Sequence, residues 1–315
     1  MKQLLLLLAL AGLLSLGSAI AKLNSPQPPD LQYLLDRGEC SACVLEGVNL
    51  QGLNFYFAEL EGANLQHIHG KGAKFEGANC EKTQWQNSKL QYADFMDANL
   101  SHASLQYADL MVANFKGANL IEAELDYANL QGGKFQAAQI SNGHLQSANL
   151  AYAHLEGANL ANADLSNSRL EGAILKGANL QGASLAGANL KKANLQGANL
   201  KGANLNFTNF TNANLSDSYL GGAMLDQTNL EKAVLERACF GPVECTLKTN
   251  SMTSFSTAAT FKEVNFNGTN VKGTSFKGID GETIPWESIE LCNTILPDGV
   301  VSDRDCGNLE LRIEN

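Results

Sequence analysis

Hydrophobic residues recur along this chain with a period of five. Of the forty positions taken at that spacing from Leu45 to Phe240, Leu holds 29 and Phe seven; the others are Gly70, Cys80, Trp85 and Ile140. A second register lies two positions earlier. Ala holds 28 of its forty places, and from Ala73 to Ala238 only Ala, Gly, Ser and Thr occur there. Polar residues fill the remaining positions, as in Gly177-Ala178-Asn179-Leu180-Gln181. Neither regular element holds such a pattern. Five residues of α-helix turn about 500°, so the Leu row would drift by about 140° at each step. In a strand an odd period sends successive Leu to opposite faces. The backbone therefore bends once per repeat, at tight turns that suit Asn, Asp and Gly. Each Leu and its preceding small residue face one axis, which predicts a solenoid with one side per repeat.

Phe55, Phe75, Phe95, Phe115 and Phe135 recur at every fourth repeat. Identical side chains stack in register when successive coils lie one strand spacing apart, and phenyl rings tolerate that spacing. The pattern thus gives four sides, four five-residue repeats to each coil, and about ten coils over residues 44–240. At about 4.8 Å per coil that makes a rod of roughly 48 Å.

The ends depart from the repeat. Met1-Lys2 and the apolar run Leu4–Leu16 precede Ala19-Ile20-Ala21, the layout of a secretory signal peptide over residues 1–21. The alternative is an uncleaved N-terminal anchor, although the run is shorter than the roughly 20 residues of a membrane span. Residues 22–43 read as a linker and N-terminal cap: Leu31, Leu34 and Leu35 form a helical stripe, Asp30 is an N-cap candidate and Gly38 a stop signal. Such a cap covers the open backbone groups at the end of a stacked β-structure. After Phe240 the register is lost. Residues 241–254 read as a loop, and Phe261, Phe266, Val271 and Phe276 resume the period as one further coil over 255–278. Residues 279–315 lose the pattern and read as an irregular C-terminal cap.

Charge and composition exclude several classes. With 22 Lys and Arg against 32 Asp and Glu, the net charge is −10, so no cationic excess exists to neutralise nucleic-acid phosphates. Residues 44–170 carry 13 acidic and seven basic side chains, whereas 171–240 carry five and six. Gly at 29 and Pro at 6 exclude collagen-like and Pro-rich disordered chains. No G-x-S-x-G, Walker loop, H-E-x-x-H or dinucleotide fingerprint is present. An axis filled with Leu and small residues leaves no obvious cleft for an enzyme site. Neither catalytic residues nor a cofactor are expected.

The run of Ala-Asn/Asp-Leu-x-x units resembles the pentapeptide-repeat family over about 200 of the 315 residues. The resemblance implies an all-β fold, a right-handed quadrilateral β-helix, and says little about function. The best-known activity in that family belongs to acidic rods that resemble duplex DNA and bind type II topoisomerase; the leader and the diluted charge here argue against it. The order of helix, Cys40-Ser-Ala-Cys43 and first repeat resembles exported cyanobacterial members. The closing stretch with Cys292 and Cys306 resembles the ends of the same relatives. Local pairing would join Cys40 to Cys43, Cys239 to Cys245 and Cys292 to Cys306, leaving Cys80 as a buried thiol on a Leu position. A redox-active pair or half a zinc site is the other reading of Cys40 and Cys43.

Residues four repeats apart should share a column. Glu124, His144 and Asp164 would then stand above one another, either as a metal site or as a solvated charge-complementary ladder. His67 and His69 flank the vacancy at Gly70, which reads as a local bulge or loop or as a second metal candidate. Tyr107 and Tyr127 share a column, with Tyr92 and Tyr152 nearby, as protein-contact points or as covers for neighbouring coils. The leading expectation is an exported, non-enzymatic rod in the periplasm or thylakoid lumen. It would bind another protein, with no nucleic-acid partner and no stable membrane insertion after cleavage. A topoisomerase-binding DNA mimic and a surface metal-binding protein are the alternatives.

Overall fold

The computed structural model describes residues 29–241 continuously and, beyond them, 259, 261, 263–266, 269, 271, 274–277, 279, 284–289 and 291–304. The leader, most of the segment 241–254, Cys245 and Cys306 lie outside the described residues. The chain divides into two compact units, Met1–Asn149 and Leu150–Asn315.

One repeat shows how the sequence makes a side and a corner. Leu105 N donates to Glu124 O at 2.6 Å, which ties one coil to the next. Glu124 N returns a bond to Ala103 O at 2.9 Å. Ala108 N then closes back onto Leu105 O at 3.1 Å, a tight turn whose third member, Tyr107, has φ +59°. That turn demands a positive φ at the second residue after each central Leu, which is why Gly occupies it at Gly177, Gly182 and Gly187. The small residue before the next Leu follows at once and packs inside the corner.

In the first unit, parallel bridges join partners one coil apart from Glu39↔Glu59 to Asn129↔Asn149; in the second they run from His154↔Ile174 to Tyr219↔Cys239. Both units are therefore four-sided parallel β-helices. Side one of the first unit carries Glu59, Asn79 and Asn99. Side two carries Gln84, Ser104, Glu124 and His144; side three His69, Lys89, Asp109 and Asn129; side four Lys74, Asp94 and Asn114. Each unit has a filled interior, with central side chains buried from Leu60 to Ile140 in the first and from Leu155 to Leu235 in the second. Each buried Leu contributes about 1.5–3 kcal/mol of transfer free energy. Phe55, Phe75, Phe95, Phe115 and Phe135 stack with centroids 5.2, 5.0, 5.1 and 4.9 Å apart and interplanar angles of 14° or less.

Two details differ from the sequence reading, at Gly70 and at Asp30. Gly70 is neither a bulge nor a loop: its N donates to Lys89 O at 2.9 Å in the ordinary ladder. Ile68 stands where Ala is the rule and fills the space that a central Leu would take. Asp30 lies inside helix α1 (Pro29–Arg37), not before it, and its carboxylate accepts from Val44 N at 2.8 Å, fastening α1 to the first repeat. Beyond Phe240 the bridges Asn229↔Asn265 and Cys239↔Ser275 span most of two coil lengths in sequence. The coil therefore resumes in register beyond the break. Phe276 accordingly stacks on Phe240 at 5.1 Å and 6°.

The coil also outlasts the recognisable repeat. Ser275 bridges Ile295, again four repeats on, and Phe276 N donates to Ile295 O at 2.8 Å. The period persists from residue 279 onward without Ala in the small-residue register: Ile279, Ile284, Ile289 and Thr294 occupy it and are buried, while Leu291 remains buried at a central position. Trp286, in a short 3-10 turn, meets Phe276 edge-on at 5.2 Å. Strands β1 (Thr294–Ile295) and β2 (Val301–Ser302) then form an antiparallel hairpin.

Candidate functional site

With the axis filled, polar chemistry sits on the sides and corners. The residue before each central Leu lies on a side, and Asn there builds amide ladders. On side one, Asn119 Nδ2 donates to Asn99 Oδ1 at 3.0 Å, Asn99 to Asn79 at 3.3 Å, and Asn79 to Glu59 at 2.9 Å. The same Oδ1 atoms accept backbone N–H groups two positions on, as Asn99 does from Ser101 N at 3.2 Å. Each Asn thus ties its own corner to the adjacent coil. The recurrent Asn before Leu is the sequence signal for these ladders, although turn propensity alone accounts for it equally well.

Glu124 and His144 are bridge partners on side two. Glu124 nevertheless directs its carboxylate to the preceding coil, where Oε2 accepts from Ser104 Oγ at 3.0 Å and from Gln106 Nε2. The exposed His144 ring makes no hydrogen bond or ion pair among the described residues. Asp164 belongs to the second unit and accepts from Ser166 N at 2.9 Å. Among the described residues no three His, Cys, Asp or Glu side chains assemble as a metal-holding group. The histidine–carboxylate contacts that do form lie elsewhere: His102 Nδ1 to Glu122 Oε2 at 3.3 Å, a pair four repeats apart that the column rule would have found, and His154 Nδ1 to Glu156 Oε1 at 3.2 Å, which no column marks. His67 and His69 are exposed on either side of buried Ile68.

Cys40 and Cys43 form a disulfide with Cα atoms 5.4 Å apart, an ordinary span for such a bond. Cys239 and Cys292 are also disulfide-bonded, and the partners expected for them lie outside the described residues. Cys80 is a buried free thiol whose ionisation is pushed far up by burial and, secondarily, by the charge of Glu59. It is inert by environment.

Aromatic side chains at corners split into two kinds. Phe57 and Tyr152 lie over the glycine of the next coil: a Cβ at Gly77 would fall 2.5 Å from the Phe57 ring, and one at Gly172 2.7 Å from Tyr152. Tyr107 and Tyr127 stack on each other at 5.0 Å and 3°, with 59% and 55% of their surface exposed. No helix among the described residues is long and apolar enough to cross a membrane.

The sequence profile of the Pentapeptide repeats family matches in eight copies between residues 39 and 241. No curated protein sequence matches this chain. Among solved structures, HetL, a pentapeptide repeat protein involved in heterocyst differentiation regulation from the cyanobacterium Nostoc sp. strain PCC 7120, is 25% identical over 88% of this chain and 100% of that one (TM-score 0.43). A trypsin-treated form of QnrB1, a plasmid-mediated fluoroquinolone resistance protein, is 22% identical over 60% of this chain and 89% of that one (TM-score 0.32). A pentapeptide repeat protein of the Arabidopsis thaliana thylakoid lumen is 25% identical over 40% of this chain and 70% of that one (TM-score 0.21). A pitch of four repeats per coil, a Leu-filled axis and a family match over well over half its length place this chain in the pentapeptide-repeat family.

Proposed function

We infer that this protein is an exported, non-enzymatic rod-like scaffold that binds another protein along its sides, in the periplasm or the thylakoid lumen. The observation that carries the reading is the filled axis: central residues are chiefly buried Leu and Phe, so recognition falls to flat, regular outer sides. Repeat proteins commonly work through such extended surfaces. In this reading about ten coils form the binding length, with α1 and the C-terminal hairpin as end caps. Disulfides at Cys40–Cys43, Cys239 and Cys292 fit an oxidising compartment, as does the signal-like leader.

The DNA-mimic alternative needs a dense acidic face. Here the acids of the first unit are spread over every side, with Glu59 on side one, Glu124 on side two, Asp109 on side three and Asp94 on side four. The test is twofold. Mass determination of chain recovered from the exported fraction should give cleavage after Ala21 and six oxidised cysteines. A topoisomerase supercoiling assay should show no inhibition. Retention of residues 1–21 inside the cell, or inhibition at sub-micromolar protein, would overturn the reading. The metal alternative is tested by Zn²⁺ calorimetry, where a binding event lost on His144→Ala would revive it.

A further inference from the structure

The corners on either side of side three break two rules together. Their turns require a positive φ, yet bulky residues stand there: Tyr92 at +61°, Tyr107 at +59°, Val112 at +59° and Tyr127 at +59°. A side chain in that conformation costs about 1–2 kcal/mol relative to Gly. The same residues are exposed, Tyr92 by 52%. Phe57 and Tyr152 share that combination at other corners, where each covers a glycine of the next coil; here Tyr107 and Tyr127 stack on each other instead and remain open to solvent.

The charges on this face are ordered along the coil axis. Lys71 and Lys89 stand on the earlier coils, with His67 and His69; Asp109 and Asp126 stand on the two later ones. Lys89 is exposed and forms no ion pair among the described residues. Asp109 is half-buried and held by Gln91 Nε2 and by Asn129 Nδ2 at 2.8 Å, which fixes its carboxylate in place. The face therefore runs from basic to acidic across a belt of Tyr92, Met111, Val112, Tyr107 and Tyr127.

We propose that side three of the first unit is a self-complementary surface that pairs with side three of a second copy of this chain, the two coil axes antiparallel. A two-fold axis lying across the face, between the coil of Lys89 and the coil of Asp109, exchanges those two levels. Lys89 then meets Asp109 of the second copy, and the reciprocal pair forms at the same time, as isologous symmetry requires. Tyr92 meets Met111 and Val112 at the same corner of the other copy, and His67 meets Asp126. A parallel arrangement would instead set Lys89 against Lys89 and Asp109 against Asp109, and like charges face to face disfavour it. The face from His69 to Asn129 covers four coils, about 19 Å at the strand spacing. That is small for a specific interface, so the pair is weak and reversible. The inference is independent of the scaffold reading, since a second protein could bind any other side.

Sedimentation equilibrium of the purified chain up to about 0.5 mM, where a dissociation constant of about 1 mM or less leaves a measurable dimer fraction, is expected to show a monomer–dimer equilibrium. Lys89→Glu alone and Asp109→Lys alone each place like charges in both reciprocal pairs and should be monomeric, weakening association at least tenfold. Mixing the two variants restores both pairs, since the introduced carboxylate faces the introduced amine while native Asp109 faces native Lys89, and should yield a heterodimer. Asp109→Lys also removes an acceptor from the side-three ladder, so far-UV circular dichroism and melting must show each variant folded; Tyr107→Ser serves as a charge-neutral variant that should also weaken the dimer. A chain that stays monomeric, single variants that dimerise like the parent, or a mixture that stays monomeric would each overturn the proposal.

Discussion

Gly70 and Ile68 offer a direct test of how this core accommodates size. A Cβ placed on Gly70 would fall 2.9 Å from Leu90 Cδ2 and 3.1 Å from Ile68 Cδ1, both buried side chains. Gly70→Leu restores the family's usual central residue, yet it overpacks this coil and should cost about 1–3 kcal/mol. Ile68→Ala restores the usual small residue and opens a cavity, at about 2–5 kcal/mol. The double variant exchanges the two sizes and nearly conserves volume, so it should lose less than about 1.5 kcal/mol. The coupling between the two sites is therefore at least about 1.5 kcal/mol in the compensating direction, well beyond the scatter expected of independent sites. Urea unfolding followed by far-UV circular dichroism gives the four stabilities of the cycle. Amide exchange at Lys89 and Leu90 reports whether the loss is local. If the double variant loses as much as the two singles together, Ile68 does not fill the place vacated at Gly70 and the packing argument fails.

Three further outcomes follow from the same geometry. Asn99→Ala removes the acceptor of Asn119 Nδ2 (3.0 Å) and Ser101 N (3.2 Å) and should cost about 1–3 kcal/mol in urea unfolding. Cys80 should resist a thiol-specific alkylating reagent in the folded chain and react fully in denaturant; labelling under native conditions would contradict its burial. Asp217 is held below the usual carboxylate range by its hydrogen bond from Arg237 Nε at 2.6 Å, against a smaller opposing effect of burial. A depressed folded pKa contributes stability above the unfolded value of about 3.9, and the contribution fades as pH falls through the folded value. An NMR titration of the Asp217 carboxyl should therefore move toward the ordinary range in Arg237→Gln, and acid unfolding of that variant should begin at higher pH.

The pitch of this fold is legible because it is written in identical side chains. Phe55 to Phe135 can stack in register only if each coil consumes four repeats, and no local propensity competes with that. What the pattern hides is anything that keeps the backbone path while changing side-chain size. At Gly70 a missing central side chain looks the same in sequence as a missing side of the coil. From Ile279 onward Ile takes the place of the small residue two positions before the centre, so a search for Leu after Ala finds nothing although the ladder continues to Ile295. The histidine contacts are legible only in part: His102 and Glu122 share a column, as the spacing gives, whereas Glu124 and His144 share one without touching. Columns give which residues neighbour each other, but not where a side chain turns: Glu124 reaches back to Ser104 instead of forward to His144.

The exception at Gly70 belongs with two others inside the coils. At Gly70, Gly133 and Gly143 volume is traded between neighbouring interior positions. Gly133 sits before Phe135, and a Cβ there would strike the Phe135 ring at 2.8 Å; Gly143 lies near Ile140, whose Cγ2 would be 3.1 Å from such a Cβ. At Phe135 and Ile140 a neighbouring residue of the small register is glycine, and where the centre shrinks, at Gly70, its neighbour Ile68 grows; Phe75, Phe95 and Phe115 keep alanine there and are accommodated by stacking in one column. Close-packed interiors tolerate volume-conserving exchange far better than a net gain or loss. A coil can thus depart from Ala-x-Leu at two positions and still present unchanged outer sides. That leaves the sides and corners free to vary independently of the core, which is the property a chain needs if one scaffold is to carry different recognition surfaces.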